Sequence, residues 1–204
     1  MAIRIDRATT SGGCGEHAVD GGTGSYAWIV GDDDECLVID AGNGADAILD
    51  AIGHREVLAI VCTHGHADHI AGALEVAERT EASVLLHPDA LEDWRKVHAR
   101  LDPDGDLAHD QVFQVAGTQI RVIETPGHAP GSVCFAAPEL GVVFTGDTLL
   151  AEGPHATGEA GSDRSTIEYS VRKLLFPLGD ETIVKPGHGA ETTIGAQREA
   201  DWAL

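Results

Sequence analysis

The chain alternates short apolar runs with polar, glycine-bearing turns, and its two periodicities are those of buried strands and amphipathic helices. Met1 to Arg7 alternates like a strand and leads into the turn Ser11-Gly12-Gly13. Residues 25–30 and 35–40 are apolar runs joined by Gly31-Asp32-Asp33-Asp34, which predicts a hairpin. A helix through Ala47 to Ile52, opened by Asn43 or Asp46 and stopped by Gly53, is expected next. Val57 to Cys62 has the continuous hydrophobicity of a strand covered on both faces, and Ile70 to Ala77 has helical character. A strand at 83–87 stops at Pro88, a charged helix around 91–97 follows, and 102–106 is a predicted loop. Further strands are predicted at 112–115, 118–123, 132–135, 142–144 and 182–184, with a long loop at 151–163 and a helix from Ser165 to Leu175. Both halves start strand-rich and end helical, so the expected fold class is α/β, with two sheets stacked inside helices.

Length and charge narrow the picture. At 204 residues one domain, 1–204, is expected, and 43% hydrophobic with 23% charged residues suits a folded globular chain. The formal charge of -21 opposes phosphate backbones and anionic membrane, so neither nucleic acid nor membrane is an expected partner. No apolar run reaches membrane-spanning length, and the opening residues lack the apolar core of a signal sequence. Cys14, Cys36, Cys62 and Cys134 form no C-x-x-C pair and read as buried thiols in a reducing cytoplasm.

One stretch exceeds what structure alone requires. Thr63-His64-Gly65-His66-Ala67-Asp68-His69 places three histidines and an aspartate within six residues at the end of a buried strand. On extended backbone His64 and His66 point to one side and can share a cation. Asp68 and His69, at the helix entrance, are turned away from that pair and suit a second cation a few Å off, although Asp68 could also serve as an N-cap. Three further donors sit in turns after apolar strands: His128 in Pro126-Gly127-His128-Ala129-Pro130-Gly131, Asp147 in Thr145-Gly146-Asp147-Thr148, and His188 in Pro186-Gly187-His188-Gly189.

Taken together these motifs resemble the metallo-β-lactamase superfamily over roughly residues 25–200, with His64, His66, Asp68, His69, His128, Asp147 and His188 matching its signature in order. The resemblance implies an αββα sandwich of two mixed β-sheets flanked by helices. It also implies two divalent metal ions, zinc foremost with iron or manganese as alternatives: one held by His64, His66 and His128, the other by Asp68, His69 and His188, with Asp147 bridging. True β-lactamases of the superfamily typically lack this bridging Asp. Thr63–His69, Phe144–Leu149 and Pro186–Gly189 look most like the glyoxalase II-like hydrolases, which cleave acyl thioesters of small thiols. Sixteen residues follow His188, as in the short single-domain members, and Gly158–Asp163 keeps only part of the Gly-Arg-x-Asp element usual there.

The expected reaction is hydrolysis of a small acyl thioester by a metal-bridging hydroxide, with one metal stabilising the oxyanion, a thiolate leaving, and Asp68 available for proton transfer. Substrate-contact candidates are His155 in the long loop and Arg164, Tyr169 and Lys173 on the following helix; an amphipathic helix explains the last three equally well. His17, His54, His87, His98 and His109 read as surface or loop residues. The rivals are a persulfide dioxygenase with one iron on His64, His128 and Asp147, a lactone or ester hydrolase, and a non-catalytic binding protein. His188 in its Pro-Gly-His-Gly turn favours the dinuclear hydrolase.

Overall fold

The computed structural model describes residues 2–10, 24–158 and 161–202. The expected turn at 11–13, Cys14 and His17 lie outside the described residues, as do residues 159 and 160 of the long loop. The first sheet comprises β1 (Arg4–Thr9), β2 (Tyr26–Gly31), β3 (Glu35–Ile39), β4 (Glu56–Val61), β5 (Val84–Leu86) and β6 (Gly105–Asp106), hydrogen-bonded in that order. The pairs β1–β2 and β2–β3 are antiparallel and the remaining pairs parallel. The second sheet uses β7 (Val112–Val115), β8 (Thr118–Glu124), β9 (Val133–Ala137) and β10 (Val142–Gly146), while β11 (Leu149–Leu150) and β12 (Gly153–Pro154) form a separate small hairpin. With β13 (Ile183–Pro186) and β14 (Thr192–Thr193), its order is β14-β13-β10-β9-β8-β7. Only β10–β13 is parallel, so both sheets are mixed, as expected.

Helices cover the outer faces. α1 (Ala45–Ile52), α2 (Ala67–Ile70), α3 (Ala73–Thr80) and α4 (Leu91–Val97) belong to the first half, α5 (Arg164–Ser170) and α6 (Ile194–Glu199) to the second. The continuous hydrophobicity of the strands follows from burial on both faces. In β2, Ala27 and Ile29 pack toward the helices, while Tyr26, Trp28 and Val30 face the second sheet. In β9, Val133, Phe135 and Ala137 meet them between the sheets, and Cys134 and Ala136 face α5 and α6. Each fully buried side chain of valine size or larger contributes about 1.5–3 kcal/mol, so the layer between the sheets and the layers under the helices all stabilise the sandwich.

Three expectations need correction. Residues 105–106, expected in a loop, pair with β5. The helix expected from Ser165 to Leu175 becomes a π-type turn over Val171–Leu175. The long loop is interrupted by β12. The predicted hairpin is present, and Asp32 fixes its turn by accepting from the backbone amides of Asp34 at 2.9 Å and Glu35 at 3.1 Å. Cys36, Cys62 and Cys134 are buried free thiols, as the sequence suggested. No helix among the described residues is long and apolar enough to cross a membrane.

Candidate metal centre

The seven donors named from the sequence meet where the two sheets end. Strand β4 stops at Val61, and the chain bends at Thr63 and His64 before extended His66, at φ -70° and ψ 145°, leads into α2. This turn, rather than a fully extended run, sets the His64 and His66 ring centroids 4.5 Å apart and brings both to His128, at 4.8 and 4.9 Å. The Nε2 atom of His128 lies 3.2 Å from Nδ1 of His66. Asp68 is not the cap of α2: His66 holds the N-cap position, and the Asp68 carboxylate turns toward His188, whose Nε2 is 3.0 Å from its Oδ2. His69 Nε2 stands 3.2 Å from the same nitrogen.

Asp147 lies between these two groups. Its Oδ1 is 3.5 Å from His69 Nε2, and its Oδ2 is 3.5 Å from His188 Nε2 and 3.8 Å from His128 Nε2. Close approach here depends on Gly187, since a Cβ at that position would come within 2.5 Å of both Asp147 Oδ1 and His69 Cε1. The β2 edge holds this turn in place: the Tyr26 amide donates to Gly187 O at 2.8 Å and Trp28 Nε1 to Pro186 O at 3.0 Å.

Asp40, which the sequence reading did not single out, organises the histidines. It follows β3 in a left-handed conformation at φ 60° and is buried. Its Oδ1 accepts from the Thr63 amide at 2.7 Å and its Oδ2 from the Thr63 hydroxyl at 2.9 Å. Oδ2 also lies 2.8 Å from His69 Nδ1. A carboxylate only accepts, so His69 carries its proton on Nδ1 and presents Nε2 to the centre. The Thr63 hydroxyl, having given its proton to Asp40, accepts from His64 Nδ1 at 3.0 Å, which leaves His64 Nε2 bare. His128 is fixed similarly by Nδ1 donating to His155 O at 2.9 Å. Such carboxylate and carbonyl partners orient histidine ligands in metal sites generally. The signal available in the sequence was an acid ending a fully apolar run, in Ile39-Asp40-Ala41-Gly42.

The electrostatics separate two neutral imidazoles, His64 and His128, from His69, which its neighbouring carboxylates hold protonated in the metal-free protein. Burial, reinforced by His69, His66 and His128, pushes the His64 pKa well below 6.5 and keeps the ring neutral. Burial likewise lowers His128, to about 4, with Asp147 opposing and His66 assisting. For Asp147 burial acts upward, but the charges of His69, His128 and His188 outweigh it and hold the carboxyl well below the usual carboxylate range. Asp68 is held low by His69 and His188 against the same burial effect. His69 rises well above 6.5 because Asp147, Asp40 and Asp68 together outweigh its burial. Among the described residues, His64 Nε2 and Asp147 Oδ1 are buried polar atoms with no hydrogen-bond partner. Orphaned acceptors of this kind are costly, and a cation among them would satisfy both.

The donor groups that could hold cations are His64, His66 and His128; His64, His69 and Asp147; Asp68, His69 and His188; and His128, Asp147 and His155, the atoms within each lying within 4.8 Å of one another. The structure thus unites the seven expected residues and adds His155, whose ring stacks on His128 at 5.4 Å. The other substrate-contact candidates belong to none of these groups. Arg164 is held by Glu168 Oε1 at 2.8 Å and by Trp202 O at 3.3 Å, Tyr169 is 63% exposed, and Lys173 is exposed beyond it. Two of the histidines read as surface or loop residues lie in loops and are tied down there: His87 Nε2 meets Glu124 at 3.2 Å, and His98 Nε2 donates to Ile70 O at 2.9 Å.

Known proteins share this arrangement of chain. The hydroxyacylglutathione hydrolase GloC of Haemophilus influenzae is 27% identical over 185 residues, 83% of this chain and 87% of GloC. A solved structure of the BLEG-1 B3 metallo-β-lactamase superimposes with a TM-score of 0.81 at 26% identity, covering 97% of both chains. A second, TTHA1623 in a di-iron-bound form, gives 0.74 at 28% identity over 86% of this chain and 92% of its own. The model of the metallo-β-lactamase superfamily matches residues 20–197, and the chain belongs to that superfamily.

Proposed function

We propose that the protein is a dinuclear metal-dependent hydrolase of a small acyl thioester. The observation that carries the reading is the set of nitrogens with assigned protons: His64, His69 and His128 each commit Nδ1 to an acceptor outside the centre and aim Nε2 into it. In this reading His64, His66 and His128 hold one divalent cation, Asp68, His69 and His188 the other, and Asp147 contacts both. When bound, such a pair supplies Lewis acidity for a carbonyl oxygen and brings the pKa of coordinated water toward about 7. The chain's own residues then have defined tasks. Asp40 and Thr63 keep the imidazoles from turning, Asp147 balances positive charge, and Asp68, with Oδ2 3.0 Å from His188 Nε2, is placed to hold a proton taken from water.

Thioester is favoured over β-lactam as the substrate because the family resemblance associates a bridging Asp with the former, and because GloC is named for that reaction. A thiolate, of ordinary pKa about 8.5, leaves without help from a general acid. Zinc is the first choice of metal for a histidine-rich centre, with iron or manganese as alternatives. The buried free thiols agree with a reducing cytoplasm.

The test is elemental analysis of protein purified without added metal, followed by assay on a panel of acyl thioesters, lactones and β-lactams. Nearly two metals per chain and turnover of a thioester alone are expected. One iron per chain with oxygen uptake on a persulfide would replace this reading with the dioxygenase. A fully active, fully metallated Asp147→Ala variant would overturn the site assignment.

A further inference from the structure

The β11–β12 hairpin brackets the centre. It begins two residues after Asp147 and ends at Pro154, so that Asp147 enters from one side and His155 returns on the other. The return is fixed rather than free to wander. Leu149 pairs with Pro154 and Leu150 with Gly153. Gly153 turns at φ 113° with Trp202 so near that a Cβ would meet its Cδ1 at 2.9 Å. Immediately beyond, His155 O accepts from His128 Nδ1 at 2.9 Å. The half-buried His155 ring lies over His128 at an interplanar angle of 26°, with a ring nitrogen within 4.8 Å of donor atoms on both His128 and Asp147.

We infer that His155 is a further metal ligand, donating to the cation that His128 and Asp147 would hold. The inference rests on the proposed dinuclear centre. It assigns two tasks to one residue: the backbone carbonyl sets the tautomer of His128, and the imidazole supplies another neutral nitrogen. A neutral donor adds no charge to the centre, and imidazole suits zinc and iron alike. The gain depends on preorganisation, since a side chain on a backbone already held by pairing, a tight turn and a hydrogen bond loses little freedom on binding.

Cobalt(II) replacement tests this without reliance on turnover. The probe is cobalt(II) added to metal-free protein, read by visible absorption, by paramagnetically shifted proton signals of exchangeable ligand imidazole N–H groups, and by competition with a chelator. His155→Ala and His155→Gln are compared with wild type, with exposed His54→Ala as control. Both His155 variants keep the backbone carbonyl, and the Gln variant keeps bulk and polarity. Expected are an altered visible spectrum, one shifted imidazole signal fewer, and a loss of about tenfold or more in affinity for one of two cobalt ions, by analogy with the 10–100-fold effects of outer-shell ligand partners. An unchanged spectrum, signal count and affinity in a folded Gln variant would overturn the inference while leaving the dinuclear centre in place. Wild-type protein that takes up no cobalt would overturn both.

Discussion

Asp40→Asn is the sharpest perturbation of the centre's framework, because it keeps the shape of the side chain and removes only its charge. Asparagine tolerates the left-handed φ of 60° at this position, so the backbone does not confound the result. Three donors converge on the native carboxylate: the Thr63 amide, the Thr63 hydroxyl and His69 Nδ1, at 2.7, 2.9 and 2.8 Å. An amide has one carbonyl oxygen and one NH2, so in either orientation at least one donor faces another. A buried donor left unsatisfied costs about 1–3 kcal/mol, and the surviving bonds lose their charge assistance, so the total is about 2–4 kcal/mol. Urea unfolding of metal-free protein at pH 7 should show this as a midpoint lower by about 1 M, taking m as about 2–3 kcal/mol per M. The metal-loaded comparison should show affinity reduced by about 10–100-fold in competition with a chromophoric chelator, because His69 and His64 lose the partner that fixes their tautomers. An Asn variant with unchanged midpoint and unchanged m would refute the claim that Asp40 organises the centre.

Other consequences follow from the same geometry. Gly187→Ala drives a methyl into Asp147 and His69, and should reduce bound metal in elemental analysis even where circular dichroism shows a native fold. In metal-free protein the His128 ring should titrate near 4 by NMR; since the unfolded chain takes up that proton near 6.5, this residue makes stability fall as pH drops through the window between the two values. Burial raises Cys36 to about 11, Cys134 to about 12 and Cys62 well above its ordinary value, so peptide mapping after alkylation of native protein at pH 8 should find these three unmodified, and modified once urea is added.

What the sequence disclosed and what it concealed have physical reasons. Strands such as Val133–Ala137 were legible because burial on both faces leaves a continuous apolar run. The seven donors were legible because each interrupts or follows such a run with a residue that a core would not otherwise accept. Asp40 does the same after Ile39, yet an acid before Ala41-Gly42 is ordinary turn chemistry, and only the fold reveals that Thr63 and His69 lie against it. Strands β6, β11, β12 and β14 have two residues each, too few to show any period. Arg164, Tyr169 and Lys173 lie outside the inward face that Ile167, Ser170 and Val171 take, the amphipathic placement that the sequence offered beside a substrate role.

Each sheet is built from an unbroken length of chain, the first from residues 4–106 and the second from 112–193. The two lengths contribute unequally to both ligand groups: His64, His66, Asp68 and His69 come from one, and His128, Asp147 and His188 from the other. Neither length alone supplies all three ligands of the His64, His66 and His128 group or of the Asp68, His69 and His188 group, so on the proposed reading a bound cation is also a clasp between them. Mass action then ties cohesion of the sandwich to cation supply, at about 4 kcal/mol for a free concentration a thousand times the dissociation constant. Two separately produced fragments, split between residues 106 and 112, would accordingly associate in proportion to the metal offered, with the ion acting as a reporter of their assembly.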